Sequence, residues 1–314
     1  MLAEEFVRQG HSVTLVTPTP SDRSDHFPFP VIRRPRPRQL LHQVETCDVY
    51  LQSHVSLRTA WPLLVHRRAW VASIQTWIPR SGIKGRTKHF VLRWAVPISC
   101  SSSIAAHLRR PSKVIANPYD DSVFREMPEN ERSHDLLFVG RLSGEKGVGL
   151  LLEALHLLGA QGLRPKLTVV GPGPDSETLA AQAARLGLVA QVEFVGPKDP
   201  QGVARLMSEH KILVVPSLYH EPFGIVALEA IACGCLVVGS EGGGLKDAIG
   251  QCGLTFPNGD AGALARCLAG LMGAPDSWQG YMRAAPSHLR AFTRSNVACA
   301  YLQVLEAAYD ATHR

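Results

Sequence analysis

The sequence predicts an α/β protein of two doubly wound, Rossmann-like domains, and three observations carry that expectation. The chain has 314 residues, 45% of them hydrophobic, which at roughly 100–200 residues per domain is enough for two cores. Short β-branched runs alternate with helix-length amphipathic runs along its whole length, the pattern of parallel βα units rather than of a sandwich. The alternation breaks once, where Asn117-Pro-Tyr-Asp-Asp leads into the polar run Pro128-Glu-Asn-Glu-Arg-Ser-His134, which has turn chemistry and no period. The expected organisation is a first domain over residues 1–125, a second over 126–294, and a terminal amphipathic helix over 295–314 packing back on one of them.

The chain opens in a helical phrase, Leu2 to Gln9, that leads directly into a strand at Ser12-Val-Thr-Leu-Val-Thr17. A doubly wound domain normally begins with a strand that lies at the sheet centre. The expectation is therefore that this sequence lacks its first strand, leaving neighbouring strands unpaired or reordered. Further first-domain strands are expected at Asp48–Leu51, Val71–Ile74 and Ile98–Ser101. The second domain supplies Leu136–Val139, Leu167–Val170, Val192–Val195, Ile212–Val215 and Leu236–Gly239, with helical runs between them.

Composition excludes several classes. The seven cysteines are scattered, with no paired CxxC or Cys/His ligand spacing, so they read as reduced thiols in a cytoplasmic protein. The longest apolar stretch, Gly224 to Gly239, is interrupted by Glu229 and Gly234 and falls short of the roughly 20 apolar residues of a membrane span. The acidic start, Met1-Leu-Ala-Glu-Glu-Phe6, lacks the basic end and apolar centre of a secretion signal. Charge is uneven: residues 1–125 hold 18 Lys/Arg against 8 Asp/Glu. That excess suits an anionic partner, such as a membrane surface touched peripherally from its inner face or a phosphorylated acceptor, and equally a merely solubilising surface. No nucleic-acid motif accompanies it, and no nucleic-acid partner is expected.

In open parallel sheets ligands bind beyond the carboxyl ends of the strands, and four such loops in the second domain carry the chemistry. After Val139 comes Gly140-Arg141-Leu-Ser-Gly144-Glu-Lys146-Gly147, which brings two cations to the start of a helix, a diphosphate clamp in outline; a solvated salt bridge to Glu145 is the plain alternative. After Val170 comes Gly171-Pro-Gly173-Pro-Asp-Ser176. It begins like a dinucleotide fingerprint but has Ser176 in the third glycine's place, so a tight strand-to-helix turn explains it as well. After Val215 comes Pro216-Ser-Leu-Tyr-His220-Glu221-Pro-Phe-Gly224-Ile225, with Pro222 suited to a first helical turn. The amides of Phe223, Gly224 and Ile225 are then free for a phosphate. Glu229 follows in an otherwise apolar helix, where a carboxylate needs partners; a ribose diol would supply them, as would a basic side chain or solvent. After Gly239 comes Ser240-Glu-Gly242-Gly243-Gly244, whose glycines permit close backbone approach.

Together these loops resemble the retaining glycosyltransferases of family 4, which have the GT-B fold of two doubly wound domains facing a cleft. The resemblance runs over nearly the whole chain. The Arg141–Lys146 loop is similar to the family's diphosphate-binding loop, and Glu221 with Glu229 reproduces its pair of glutamates separated by seven residues. The resemblance implies sugar transfer from a UDP-, GDP- or ADP-sugar with retention of configuration. Glu221 would contact the transferred sugar, Glu229 the ribose, and Arg141 and Lys146 the departing diphosphate, with Gly171, Gly242 and Gly243 beside the donor. The acceptor is a glycan, a lipid-linked sugar or a small molecule. No cofactor is implied, the nucleotide-sugar being a substrate, and without an Asp-x-Asp motif no metal.

In the first domain the likeness is looser. Asn117-Pro-Tyr-Asp120 is similar to the family's Asn-Gly-Val-Asp phrase, and His54 follows its strand as a family histidine does. Gln75 stands where the family commonly has a sugar-contacting histidine. A non-catalytic nucleotide-sugar binder, or a partner subunit of a glycosyltransferase, is therefore the alternative from another class. A GT-B phosphorylase or epimerase also stays open. A His-Glu-x-x-His zinc hydrolase does not, because Gly224 occupies the second histidine's position.

Overall fold

The structure is a computed structural model that describes residues 1–20, 26–274 and 278–313. It divides into two compact units, Met1–Pro118 together with Arg294–Arg314, and Tyr119–Thr293. All strand pairs are parallel. In the four- and six-stranded sheets the long connections they require are supplied by helices.

In the first unit β1 (Leu15–Thr17) pairs with β2 (Val31–Arg33), and a separate sheet runs β3 (Val49–Ser53), β4 (Ala69–Ile74), β5 (Val96–Ser99), β6 (Lys113–Val114) in spatial order. Among the described residues the two sheets share no hydrogen-bonded pair, and β1 and β3 each have one strand neighbour. All six residues of β4 are buried, as expected of a parallel strand covered on both faces. The terminal helix Arg294–His313 belongs to this unit: its Val297, Tyr301 and Val304 pack with Phe6, Val71 and Ile98 in one core. The last residue assigned to that helix from sequence, Arg314, lies outside the described residues. A buried hydrogen bond of 2.7 Å joins Tyr301 OH to Ser73 Oγ on β4.

The second unit is a six-stranded sheet of β7 (His134–Val139), β8 (Leu167–Val170), β9 (Val192–Gly196), β10 (His210–Val215), β11 (Leu236–Ser240) and β12 (Gly253–Phe256). Its spatial order is β12-β11-β10-β7-β8-β9. The chain winds outward from β7 to β9, crosses back to β10 beside β7, and winds outward the other way. The reversal places the topological switch point of this doubly wound sheet between β7 and β10. Its core joins Leu136, Ile212 and Val238 of the sheet to Leu151, Leu155 and Leu264 of the flanking helices.

The structure adds β2, β6 and β12 to the strands expected from sequence and moves the ends of others; the strand expected from Asp48 begins at Val49. The strand expected to begin at Ser12 begins at Leu15. The one expected to reach Ser101 stops at Ser99, because Ser101 caps the next helix and its hydroxyl accepts from the Ile104 amide at 3.2 Å. The division between units falls at Pro118/Tyr119, ahead of the 125/126 boundary expected. Tyr119 donates to the Phe292 carbonyl at 3.2 Å, and Arg132 donates to the carbonyls of Met207 and Cys233, so the polar run is tied to the second unit. Among the described residues the seven cysteines form no disulfide. Among the described residues no helix is long and apolar enough to cross a membrane.

Candidate functional site at the switch point of the second unit

Four loops leave the carboxyl ends of β7, β8, β10 and β11, and backbone hydrogen bonds stitch them together. Leu142 donates to Pro172 at 2.8 Å and Asp175 returns a bond to Leu142 at 3.1 Å, joining the loops after β7 and β8. Leu218 donates to the Glu145 carbonyl at 2.8 Å, joining those after β10 and β7; Gly244 donates to the Glu221 carbonyl at 2.7 Å, joining those after β11 and β10.

The glycines permit this contact. Gly243 has φ +84° and a Cβ there would lie 2.2 Å from the Glu221 carbonyl oxygen; Gly171, at φ +135°, would put one 1.9 Å from the Gly140 oxygen. No side chain fits either distance, and the left-handed backbone adds its own cost for L residues. Gly242 is held by its amide, which donates to Asn258 Oδ1 at 2.8 Å, while Asn258 Nδ2 donates to the Ser217 carbonyl at 2.9 Å.

Lys146 and Glu221 meet at the switch point. Lys146 Nζ donates to Glu221 Oε1 at 2.8 Å and to Tyr219 OH at 3.2 Å, and lies 5.0 Å from the centre of the Tyr219 ring. Glu221 is 7% exposed and accepts from Ser217 Oγ at 2.7 Å and from Tyr219 OH at 2.5 Å. Burial alone would lower the Lys146 pKa, but the bond and charge of Glu221 outweigh it and the ammonium is held more firmly than usual. Burial, then Glu221, pushes the Tyr219 phenol up to about 12, so it stays a hydrogen-bond donor. The chemical result is a fixed cation with one N–H to spare, since Lys carries three donors. The Arg141 side chain is exposed, and no ion pair joins it to Glu145 among the described residues.

The helix Ile225–Ala232 starts at Gly224, whose φ of +107° ends the loop, and a Cβ at Gly224 would lie 2.5 Å from a Leu245 methyl. With Gly224 as the N-cap, Pro222, expected in the first helical turn, and Phe223 both precede the helix, and the Phe223 side chain is buried against Phe292. Glu229 sits one turn into this helix among buried Ala227, Leu228, Ala230 and Ile231. No hydrogen bond or ion pair to its carboxylate is found among the described residues, so the basic partner weighed from sequence is not there. Burial, then the neighbouring Asp120 carboxylate, raises the Glu229 pKa to about 7. A half-buried carboxylate left in this state is suited to accepting bonds from a diol.

The remaining candidates belong to the first unit. His54 and Gln75 follow the adjacent strands β3 and β4. His54 has φ +62°; its amide donates to the Ser73 carbonyl at 2.7 Å, its Nε2 lies 3.4 Å from Lys88 Nζ, and its buried Nδ1 has no partner. Burial, then Lys88, lowers its pKa. Gln75 donates to Ser73 Oγ at 2.7 Å and so belongs to the Tyr301 hydrogen-bond chain. Asn117 is half-buried at the end of the unit.

Sequence reasoning missed Ser217, Tyr219, Asn258 and Asp120 as parts of the site. Ser217 and Tyr219 carried a usable signal, because residues spaced by two in an extended segment share the face of Glu221. Asn258 stands in a Pro-Asn-Gly-Asp turn, and nothing local marks it as a bridge to Gly242.

The family model of the glycosyl transferases group 1 matches residues 120–283, which contain all four loops. Glycogen synthase of Mycobacterium tuberculosis is 34% identical over 245 residues, covering 73% of this chain and 59% of that protein. The chain thus spans under two thirds of that relative. Among solved structures, sucrose-phosphate synthase from Thermosynechococcus elongatus superposes with a TM-score of 0.79 at 22% identity, covering 99% of this chain and 92% of that one. Anabaena HepE in complex with UDP superposes with a TM-score of 0.77 at 20% identity, covering 89% and 86%. These structural neighbours have the GT-B fold of two Rossmann-like domains, and at such identities the likeness is one of fold.

Proposed function

The chain belongs to the group 1 glycosyl transferases, and from that premise we propose that it transfers a sugar from a nucleotide-sugar to an acceptor with retained configuration, as the resemblance to family 4 implies. The observation that carries the reading is the Lys146–Glu221 pair at the switch point of the second unit. A cation with a spare N–H, beside helix-start amides that lack intrahelical acceptors, is what a departing diphosphate requires.

In this reading the spare Lys146 N–H and Arg141 take the diphosphate oxygens, with the amides of Phe223, Gly224 and Ile225 as further donors. Glu229 accepts from the ribose hydroxyls, and Glu221, already oriented by Ser217 and Tyr219, from hydroxyls of the transferred sugar. The bond between the anomeric carbon and the diphosphate oxygen breaks, and one to the acceptor oxygen forms on the same face. The acceptor proton passes to the leaving diphosphate, whose growing charge Lys146 and Arg141 stabilise without a divalent metal.

A thermal-shift titration with UDP, GDP and ADP, each free and as sugar conjugates, tests the donor assignment and names the base. Stabilisation by one nucleotide that Glu229→Ala abolishes supports it; equal response of both proteins contradicts it. Magnetic resonance of the product's anomeric proton tests retention. The engagement of Gln75 with Ser73 favours a second reading, a donor-binding partner subunit. Donor binding without transfer or donor hydrolysis would select it.

A further inference from the structure

From Val49 to Tyr119 the chain contains no aspartate or glutamate but eleven lysines and arginines. In this segment the helix Gly82–Val91 and the turn Leu92–Trp94 that continues it show two stripes. Ile83, Phe90 and Trp94, at helical spacing, are exposed by 86%, 53% and 64%. Phe90 and Trp94 pack edge to face at 4.9 Å, and the Arg93 guanidinium lies 5.6 Å from the Phe90 ring. The stripe beside them, Arg86, His89 and Arg93, lines a depression of about 840 Å³ whose opposite side carries Arg109 and Arg110.

This depression is built rather than incidental. Arg109 donates to the Arg80 carbonyl at 3.1 Å and Arg110 to the Leu92 carbonyl at 2.7 Å, which fixes both guanidiniums by one N–H and leaves others free. His89 is 9% exposed, and its Nε2 has no hydrogen-bond partner. Burial, then Arg109, lowers the His89 pKa and keeps the ring neutral, so the donors an oxyanion would meet in this depression are the guanidinium N–H groups.

We propose that this face of the first unit docks on an anionic lipid surface, a lipid phosphate entering the Arg86–Arg93–Arg109–Arg110 depression and Ile83, Phe90 and Trp94 entering the interfacial layer. Cations attract the bilayer's negative surface, and aromatic side chains settle at headgroup depth. The absence of acidic residues on this helix leaves its cations unopposed at such a surface. A single-stranded nucleic acid could also use the arginines and rings, but it offers no layer for the aliphatic Ile83.

Co-sedimentation with vesicles of phosphatidylcholine alone and mixed with phosphatidylglycerol tests this, with a single-stranded oligonucleotide and inorganic phosphate as separate arms. Binding to mixed vesicles only, weakened by salt, is expected. Removing surface cations costs about fivefold each, so Arg86→Ala with Arg93→Ala should weaken it on the order of twentyfold. Phe90→Ser with Trp94→Ser should weaken it too, and Arg185→Ala with Lys198→Ala, exposed cations of the second unit, should not. All these side chains are exposed, and circular dichroism checks folding. Equal binding to neutral vesicles, equal loss in the second-unit control, preference for the oligonucleotide, capture of free phosphate without vesicle binding, or no binding at all would each overturn the proposal. Glu229→Ala should leave vesicle binding unchanged, so this inference and the donor-site reading fail separately.

Discussion

Lys146 and Glu221 lie far apart in sequence, yet Nζ and Oε1 stand 2.8 Å apart where the strand order of the second unit reverses. The pair ties the loop after β7 to the loop after β10, and Ser217 and Tyr219 orient the carboxylate by two further bonds. Rigidity of this kind favours catalysis, because charges already oriented need no rearrangement as the leaving group departs.

Lys146→Ala should lower kcat by about 10²–10³-fold while changing KM much less, the range seen when one preorganised donor to a developing charge is removed. Steady-state kinetics with the donor named by the nucleotide titration measures both. A loss confined to KM would assign Lys146 to ground-state binding instead.

Glu229 makes a pH prediction of definite sign. Its folded pKa of about 7 exceeds the ordinary 4.5, so the folded chain binds more protons than the unfolded one between those values. Stability should therefore fall as pH rises from about 4.5 to 7 and carry a constant penalty above. Glu229→Gln removes the penalty. Urea midpoints should show the variant more stable than the parent by up to about 3 kcal/mol at pH 8, with the gap closing near pH 4. A gap that widens toward acid would refute the assignment.

Gly243→Ala and Gly259→Ala separate contact from conformation. Both glycines have positive φ, +84° and +81°, but a Cβ at 243 would strike the Glu221 carbonyl whereas one at 259 meets nothing within 4 Å. Gly259→Ala should cost about 1 kcal/mol from backbone conformation alone. Gly243→Ala should cost at least about 2 kcal/mol more and weaken nucleotide binding, both read from urea melts with and without ligand.

Tyr301→Phe removes the buried bond to Ser73 and leaves that hydroxyl and Gln75 to each other. A loss of about 1 kcal/mol is expected, with nucleotide affinity unchanged because the bond lies in the first unit.

The alternation of apolar runs made the doubly wound architecture legible, and the second-unit strands fall where their β-branched cores predict. Leu167–Val170 matches at both ends because it is buried throughout. The strands β2, β6 and β12 were not legible: Lys113–Val114 is two exposed residues at a sheet edge, and Gly253–Phe256 opens on a glycine that strands ordinarily avoid. In the site, Lys146, Glu221 and Glu229 stood out by residue type and position after strands. That Lys146 would be held by Glu221 was not legible, since strand order decides which loops meet. The Asp120 carboxylate beside Glu229 was hidden for the same reason: it precedes β7, and no local pattern brings it to the helix that carries Glu229.

The most direct test of the donor site is calorimetric titration of the chain, and of Lys146→Ala, with the nucleoside monophosphate and diphosphate of the base that stabilises it. The account predicts that the diphosphate binds at least about tenfold more tightly than the monophosphate, one charge-assisted contact or more, and that Lys146→Ala removes most of that difference. Discrimination that survives Lys146→Ala, or a folded chain that binds no nucleotide, would contradict it.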